Sequence, residues 1–403
     1  MAPRIKVAIV SRYCLKEQQA LAAEFGPMLE VLAQENDVLH LSLSGRREGV
    51  LSVPDKVIIK ELALSIDRKR PSDIAIKSLL MYFWLPRIAW VLNQFKPDVI
   101  FLSEILPLMG ILLKWLTRAR VATAYGDWHL HNIFGRRKGS KAFLRMMESA
   151  DRFEVRRLDG FFCRAEAAGS RVQSWGAPPA AVRVVRDAPD PQSFFPRDET
   201  SLRAQCGFTP DDIILVYHGV MHPGKGIDLL IRWTSELYEE DPRYGLVLVG
   251  GGPAQSTLRA LASSLPIGPR TVFPGWLPTV REVGAYCCAG DINVAMRTAA
   301  EANDRVVPGA LLHSMACRKV TIAPRLSGTS EIIRHGENGF LFTADSGDDF
   351  KTLVKWLANN RPRWDAVADN AYSDIETNFS VRAAAHSYAD ALTHFATYPA
   401  ARK

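Results

Sequence analysis

The sequence predicts an α/β fold of two parallel-sheet lobes with a cleft between them, and three observations predict it. Residues 290–342 alternate short apolar segments (292–296 and 320–323) with an apolar helical run (306–316) and glycine turns, the rhythm of a parallel sheet. Two further apolar strands, at 213–217 and 246–249, each run into a glycine-bearing loop. A chain of 403 residues also exceeds one compact core, so two domains of about 200 residues each are expected. Ligands bind such sheets at the carboxyl ends of the strands, which directs attention to the loops after Met296 and Ala323.

From the amino end, a first strand at 6–10 leads into Ser11, Arg12, Tyr13 and Cys14. Leu21, Phe25, Met28, Leu29 and Leu32 then recur at helical spacing. Lys60, Arg68, Lys69 and Arg70 precede an apolar stretch that carries Tyr82, Phe83, Trp84 and Trp90. Leu79, Leu80, Leu85 and Ile88 are expected in the core, and Pro86 is expected to break or kink the helix. The aromatic and basic residues around them suit a membrane interface. A buried strand at 97–104 ends on Glu104, and a strand at 120–125 runs into a loop where Asp127, His129 and His131 place a carboxylate and two imidazoles within five positions. These three are site candidates of the first lobe, with ordinary hydrogen bonding in a surface loop as the alternative. Arg136, Arg137, Lys138 and Lys141 make a basic loop, before a helix at 143–158 and a strand at 160–163.

Residues 201–208 open the second lobe. The strand at 213–217 turns through His218-Gly219-Val220-Met221-His222-Pro223-Gly224-Lys225-Gly226 into a helix from Ile227. A glycine loop, a lysine and a helix amino end together form an anion site, because free amides and the helix dipole point the same way. The last helix, with Ser380 as its cap, is expected to bury Val381, Ala384, Ala385, Tyr388, Leu392 and Phe395.

The blocks Leu312-His313-Ser314-Met315-Ala316-Cys317-Arg318-Lys319-Val320-Thr321 and 328–341 carry a resemblance to a known family. They resemble the C-terminal half of the family 4 retaining glycosyltransferases of the GT-B fold (glycosyl transferases group 1). That pattern is a Glu, six residues, Leu-Glu-Ala-Met-Ala-x-Gly-x-Pro-Val, then Gly-x-x-Glu-Ile-Ile and x-Asn-Gly-x-Leu. Gly219, Lys225 and Gly226 match its Gly-Arg-x-x-x-x-Lys-Gly loop, with Val220 in place of the Arg, and residues 249–253 match Val-Gly-x-Gly-Pro.

The resemblance implies two Rossmann-like lobes: an acceptor-side domain at 1–190, a nucleotide-sugar donor domain at 191–375, and a C-terminal helix at 376–403 returning to the first lobe. It implies retaining transfer of a hexose from a nucleotide-diphosphate sugar, with no metal and no cofactor besides the donor substrate. Lys225, the 219–226 loop and the amides around Gly328, Thr329 and Ser330 would hold the diphosphate, and Glu331 would either face the nucleotide or cap its own helix. A histidine-bearing loop faces the donor sugar in that family, where His129 and His131 stand.

Both family glutamates are replaced, the one on a sugar hydroxyl by Arg305 and the one on the ribose diol by His313. Neutral His313 can still hydrogen-bond a diol, whereas the Arg305 guanidinium only donates. Either Glu301, Asn303 or Asp304 returns an acceptor to the sugar, or Arg305 meets a sugar carboxylate or supplies the cation missing at Val220.

Charge separates the halves. Residues 1–190 hold 29 Lys and Arg against 20 Asp and Glu, and the remainder holds 21 against 23, within a total of +7. A basic first lobe favours an anionic membrane surface or a lipid-linked or glycolipid acceptor, as in bacterial polysaccharide or envelope glycan synthesis. Nucleic acid is not expected, since no recognition element interleaves the basic residues. Six cysteines without metal spacing favour a reducing cytosol, and no leader or 18-residue apolar span is legible. The expected protein is cytoplasmic, free or peripheral on the inner face of a membrane. A soluble enzyme acting on a small molecule, and a lobe that kept the fold and lost the chemistry, are the alternatives.

Overall fold

Apolar runs bounded by glycine, proline and polar residues become parallel strands. The computed structural model describes residues 4–11, 19–43, 56–62, 82–103, 108–125 and 141–398. Its contacts form two units, Met1–Arg186 with Arg382–Lys403, and Asp187–Val381.

The first unit contains β1 (Lys6–Ser11), α1 (Gln19–Glu35), β2 (Asp37–Ser42), β3 (Val57–Glu61), α2 (Leu85–Phe95), β4 (Val99–Leu102), α3 (Met109–Thr117), β5 (Arg120–Ala124), α4 (Lys141–Val155), β6 (Gly160–Cys163), α5 (Glu166–Ser174) and β7 (Val182–Val184). Its seven strands lie in the order β3-β2-β1-β4-β5-β6-β7. Every pairing is parallel, so each connection must cross a face of the sheet and a helix can cover it. Leu85 and Ile88 are buried as expected, while Leu79 and Leu80 lie outside the described residues. Pro86 does not break this helix: it occupies the first turn of α2, where its missing N–H costs nothing. Glu154 is buried and closes the start of α3 by accepting from the Leu108 and Gly110 amides at 3.1 Å each.

The second unit contains α6 (Thr200–Gln205), β8 (Ile213–His218), α7 (Ile227–Glu240), β9 (Tyr244–Val249), α8 (Gln255–Ser263), β10 (Thr271–Gly275), α9 (Val280–Ala289), β11 (Ile292–Val294), α10 (Glu301–Asp304), α11 (Gly309–Ala316), β12 (Val320–Pro324), α12 (Ser327–Ser330), β13 (Phe340–Phe342), α13 (Gly347–Asn359) and α14 (Trp364–Asn378). Its strand order is β10-β9-β8-β11-β12-β13. The order reverses between β8 and β11, the switch point at which ligands settle in such sheets. The helix expected at 306–316 begins at Gly309, because Pro308 holds extended backbone just before it.

The last helix, α15 (Val381–Thr397), returns to the first unit. Tyr388, Leu392 and Phe395 join Val7, Phe101 and Phe162 in one core, with the Phe162 and Phe395 rings edge to face at 5.3 Å. Gly160 makes this approach possible, since a Cβ there would lie 2.5 Å from the Phe395 ring. The crossing back falls after α14, at 381–382, rather than at the expected residue 376. Both lobes are Rossmann-like.

Candidate functional site

The site grows from the end of β8. Gly219 (φ 133°) follows it, and its carbonyl approaches Gly250 (φ 115°) so closely that a Cβ on Gly250 would overlap it. The Gly219 amide donates to the Val249 carbonyl (3.0 Å) and the Met221 amide to the Gly251 carbonyl (2.7 Å), so the two glycine loops brace each other. Gly226 (φ 74°) then starts α7. The amides of Gly219, Met221, His222 and Lys225 all donate to carbonyls, so the whole 219–226 loop is not an open cradle. Val220, Gly224, Gly226 and the first turn of α7 remain as its donors, with the half-buried Lys225 beside them.

A second segment ties this loop to the rest of the site. Thr298 Oγ1 and Asn303 Nδ2 donate to the Gly224 carbonyl at 2.9 and 3.1 Å. Asn303 Nδ2 also meets Thr298 Oγ1 at 2.9 Å. Asp304 accepts from the amide and the hydroxyl of Ser327 at 3.0 and 2.9 Å. Asn303 Nδ2 and the two Asp304 carboxylate oxygens thus brace neighbouring loops. Glu301 keeps an exposed carboxylate (71% for the side chain), with Arg305 Nη1 at 3.6 Å. That Arg305 nitrogen is buried and has no hydrogen-bond partner among the described residues.

The α12 turn is packed as tightly. A Cβ on Gly328 would overlap the Val306 carbonyl, so only glycine fits there. Thr329 is fully buried, and its hydroxyl donates to the Pro324 carbonyl (2.5 Å) while accepting from the Leu326 amide (3.1 Å). The Ser330 amide donates to the Leu326 carbonyl at 2.9 Å. The Thr329 hydroxyl and Ser330 amide are thus engaged inside the turn, and Gly328 and Thr329 are both buried. Glu331 forms the carboxyl cap of this turn.

Two imidazoles meet between β8 and α11. His218 Nε2 lies 3.2 Å from His313 Nδ1, and His218 Nδ1 lies 3.4 Å from Cys287 Sγ. Phe194 stacks on His313 with centroids 3.9 Å apart and planes within 6°. Burial, then the Lys225 charge, lowers the pKa of His218 to about 4. Burial, then His218, holds His313 well below its ordinary value. Both rings are neutral near pH 7.

Gly219, Lys225, Gly226, Arg305, His313, Gly328 and Thr329 all lie within one unit, on segments linked through Gly224, Thr298, Asn303, Asp304 and Ser327 and through the His218–His313 contact. Asp127, His129 and His131 lie outside the described residues. No group of three or more His, Cys, Asp or Glu is placed to hold a metal among the described residues. Sequence reading missed His218, Phe194 and Cys287 as site residues. His218 stands directly before Gly219 at the strand's carboxyl end, a position that could have flagged it; nothing in the pattern of the other two does.

Residues 198–374 match the family model described as "Glycosyl transferases group 1". A D-inositol 3-phosphate glycosyltransferase of Rhodococcus jostii is 33% identical over 223 residues, covering 53% of this chain and 48% of its own length. A putative glycosyltransferase, EpsD of Bacillus subtilis, is 31% identical over 162 residues, 40% of each chain. This chain spans about half the length of the curated relatives it matches. Among solved structures, sucrose-phosphate synthase of Thermosynechococcus elongatus aligns with a TM-score of 0.76 at 15% identity, over 96% of this chain and 98% of that one. HepE of Anabaena, solved with UDP and glucose, aligns at 0.71 and 15% identity over 97% and 100%. WaaG, a glycosyltransferase involved in lipopolysaccharide biosynthesis, aligns at 0.68 and 15% identity over 96% and 99%. At such identities these structures establish the GT-B fold alone.

Proposed function

We propose that this chain is a retaining glycosyltransferase that moves a hexose from a nucleotide-diphosphate sugar to an acceptor hydroxyl. The observation that carries this reading is the tying of three loops into one surface: Gly224 to Thr298 and Asn303, and Asp304 to Ser327. That bracing ties Lys225, the amino end of α7 and the α12 turn together in a sheet whose segment 198–374 matches a glycosyltransferase family. A departing diphosphate gains charge as the glycosidic bond breaks, and preorganised donors stabilise that charge without reorganising. His313 meets the ribose diol. Arg305, with a buried nitrogen that lacks a hydrogen bond, replaces the cation missing at Val220 or meets a carboxylate on the sugar, and Glu301 is the acidic group left for a sugar hydroxyl.

The acceptor in this reading is a glycolipid or lipid-linked sugar at the cytoplasmic face of a membrane, in polysaccharide or envelope glycan synthesis. No helix among the described residues is long and apolar enough to cross a membrane. The first unit nevertheless exposes Phe83 (80%), Trp90 (59%) and Trp115 (77%). The last two lie on α2 and α3, which Asn93 Nδ2 joins by donating to the Leu116 carbonyl at 3.2 Å. Residues 82–97 and 108–119 contain Arg87, Lys96, Lys114 and Arg118 and no Asp or Glu. Lys114 among these is paired with Asp159 at 2.8 Å, and aromatic rings beside the other cations suit an anionic bilayer surface.

The test is calorimetric titration of UDP, GDP and ADP sugars into the full chain, followed by donor hydrolysis, in wild type and Lys225→Ala. Binding and slow hydrolysis, both weakened in the variant, are expected. A second reading rests on the replacement of both glutamates by Arg305 and His313: a donor-binding module without turnover. It predicts the same binding with no hydrolysis and no transfer. Absence of binding to every nucleotide sugar would overturn both.

A further inference from the structure

The neutral rings of His218 and His313 belong to a longer buried chain of polar atoms. Cys287 Sγ, His218 Nδ1, His218 Nε2 and His313 Nδ1 follow one another, with contacts of 3.4 and 3.2 Å. His218 is buried and engages both its nitrogens. The His313 ring is fixed on one face by Phe194, and its Nε2 has no hydrogen-bond partner among the described residues. An imidazole–imidazole contact at this distance needs one N–H and one lone pair, so the two tautomers are coupled: setting one sets the other.

We propose that Cys287 and His218 are positioning residues that hold His313 as the Nε2–H tautomer, so that it presents a hydrogen-bond donor where the resembled family presents an accepting carboxylate. The polarity follows from acidity. A thiol gives up its proton far more readily than a neutral imidazole N–H, and an imidazole lone pair accepts far better than sulfur. The favoured order is therefore Cys287 S–H to His218 Nδ1, then His218 Nε2–H to His313 Nδ1, which leaves the only ring proton of His313 on Nε2. The neighbouring thiols leave this order undisturbed: Cys317 Sγ donates to the Gly284 carbonyl at 3.8 Å and Cys288 Sγ to the Phe195 carbonyl at 3.4 Å.

The consequence for recognition rests on the function proposed above: His313 donates to a ligand oxygen from Nε2, and protonation of the ring would leave that N–H in place. The assignment of the tautomer stands on the geometry alone. Its test is two-bond nitrogen–proton correlation NMR of the full chain labelled at its nine histidines with 15N, at pH 7 and without ligand, with His313→Gln identifying the signal. Wild type is expected to show a protonated Nε2 and a lone pair on Nδ1 of His313. Cys287→Ala and His218→Phe are expected to replace that single tautomer by a mixture. A protonated Nδ1 in wild type, or an unchanged His313 tautomer in both variants, would overturn the proposal. Should the variants fail to fold, the wild-type spectrum decides alone. Because no nucleotide enters the measurement, a failure here is distinct from a failure to bind the donor.

Discussion

The two units run the same parallel sheet through corresponding strand orders and arm it differently. In the second, the end of β8 leads into positive-φ glycines, a lysine and paired imidazoles, all braced by neighbouring loops. In the first, the equivalent centre holds a buried His40 whose Nε2 meets Ser11 Oγ at 2.9 Å and whose Nδ1 has no partner among the described residues. Among its described residues, its outside carries the exposed Trp90 and Trp115 and the cations of α2 and α3. A shared topology therefore fixes where ligands can arrive and leaves what they meet to the loops and surfaces.

Matched glycine substitutions break this comparison most forcefully. Gly250→Ala drives a Cβ into the Gly219 carbonyl at a positive φ, where neither backbone can yield, and should cost about 4 kcal/mol. Gly160→Ala meets the Phe395 ring, a side chain that can shift, and should cost about 2 kcal/mol. Urea unfolding followed by tryptophan fluorescence measures both, and a larger loss at Gly160 would reverse the account.

Acid probes one buried imidazole in each unit. Burial lowers His40 and His218 to about 4, which favours the neutral ring in the folded state. Their contribution is complete above the unfolded value of 6.5 and is lost as pH falls from there through about 4, by about 3 kcal/mol each. His40→Gln and His218→Gln should each flatten the acid limb of stability against pH. Equal slopes in wild type and variants would show that the rings are already charged in the fold.

The outer surfaces differ by smaller amounts. Trp90→Ala with Trp115→Ala should weaken binding of the full chain to phosphatidylglycerol vesicles about tenfold, with stability unchanged because both rings are exposed. Unchanged sedimentation with vesicles would remove the membrane surface from the proposed function. Smallest of all, Thr279→Ala deletes the capping box with Glu282 at the start of α9 and should cost about 1 kcal/mol by thermal melting.

Periodicity made most strands of both sheets legible, because a strand buried on both faces reads as an apolar run. β2 and β3 went unread. β3 lies at a sheet edge with an alternating burial pattern, Val57 inward and Ile58 outward, which dilutes the apolar signal. Pro86 looked like a break and proved to be a first-turn residue, since the same missing N–H serves either role and only the neighbouring turn decides. In the site, Lys225, Gly226 and His313 were named from their frame, whereas the bracing by Asn303 and Asp304 could not be read from theirs. A side chain's partner cannot be read from its type.

By itself the sequence determined the repeated α/β alternation, the glycine turn into α7 and the excess of positive charge before residue 190. These follow from local pattern, in which each residue reports on its near neighbours. Only the tertiary structure decided that His218, Cys287 and Phe194 converge on His313, and that the amides of Gly219 and Lys225 are already engaged. Those contacts join residues as many as 119 positions apart, from Phe194 to His313, and hydrogen-bond satisfaction is a property of the folded neighbourhood that no local spacing encodes.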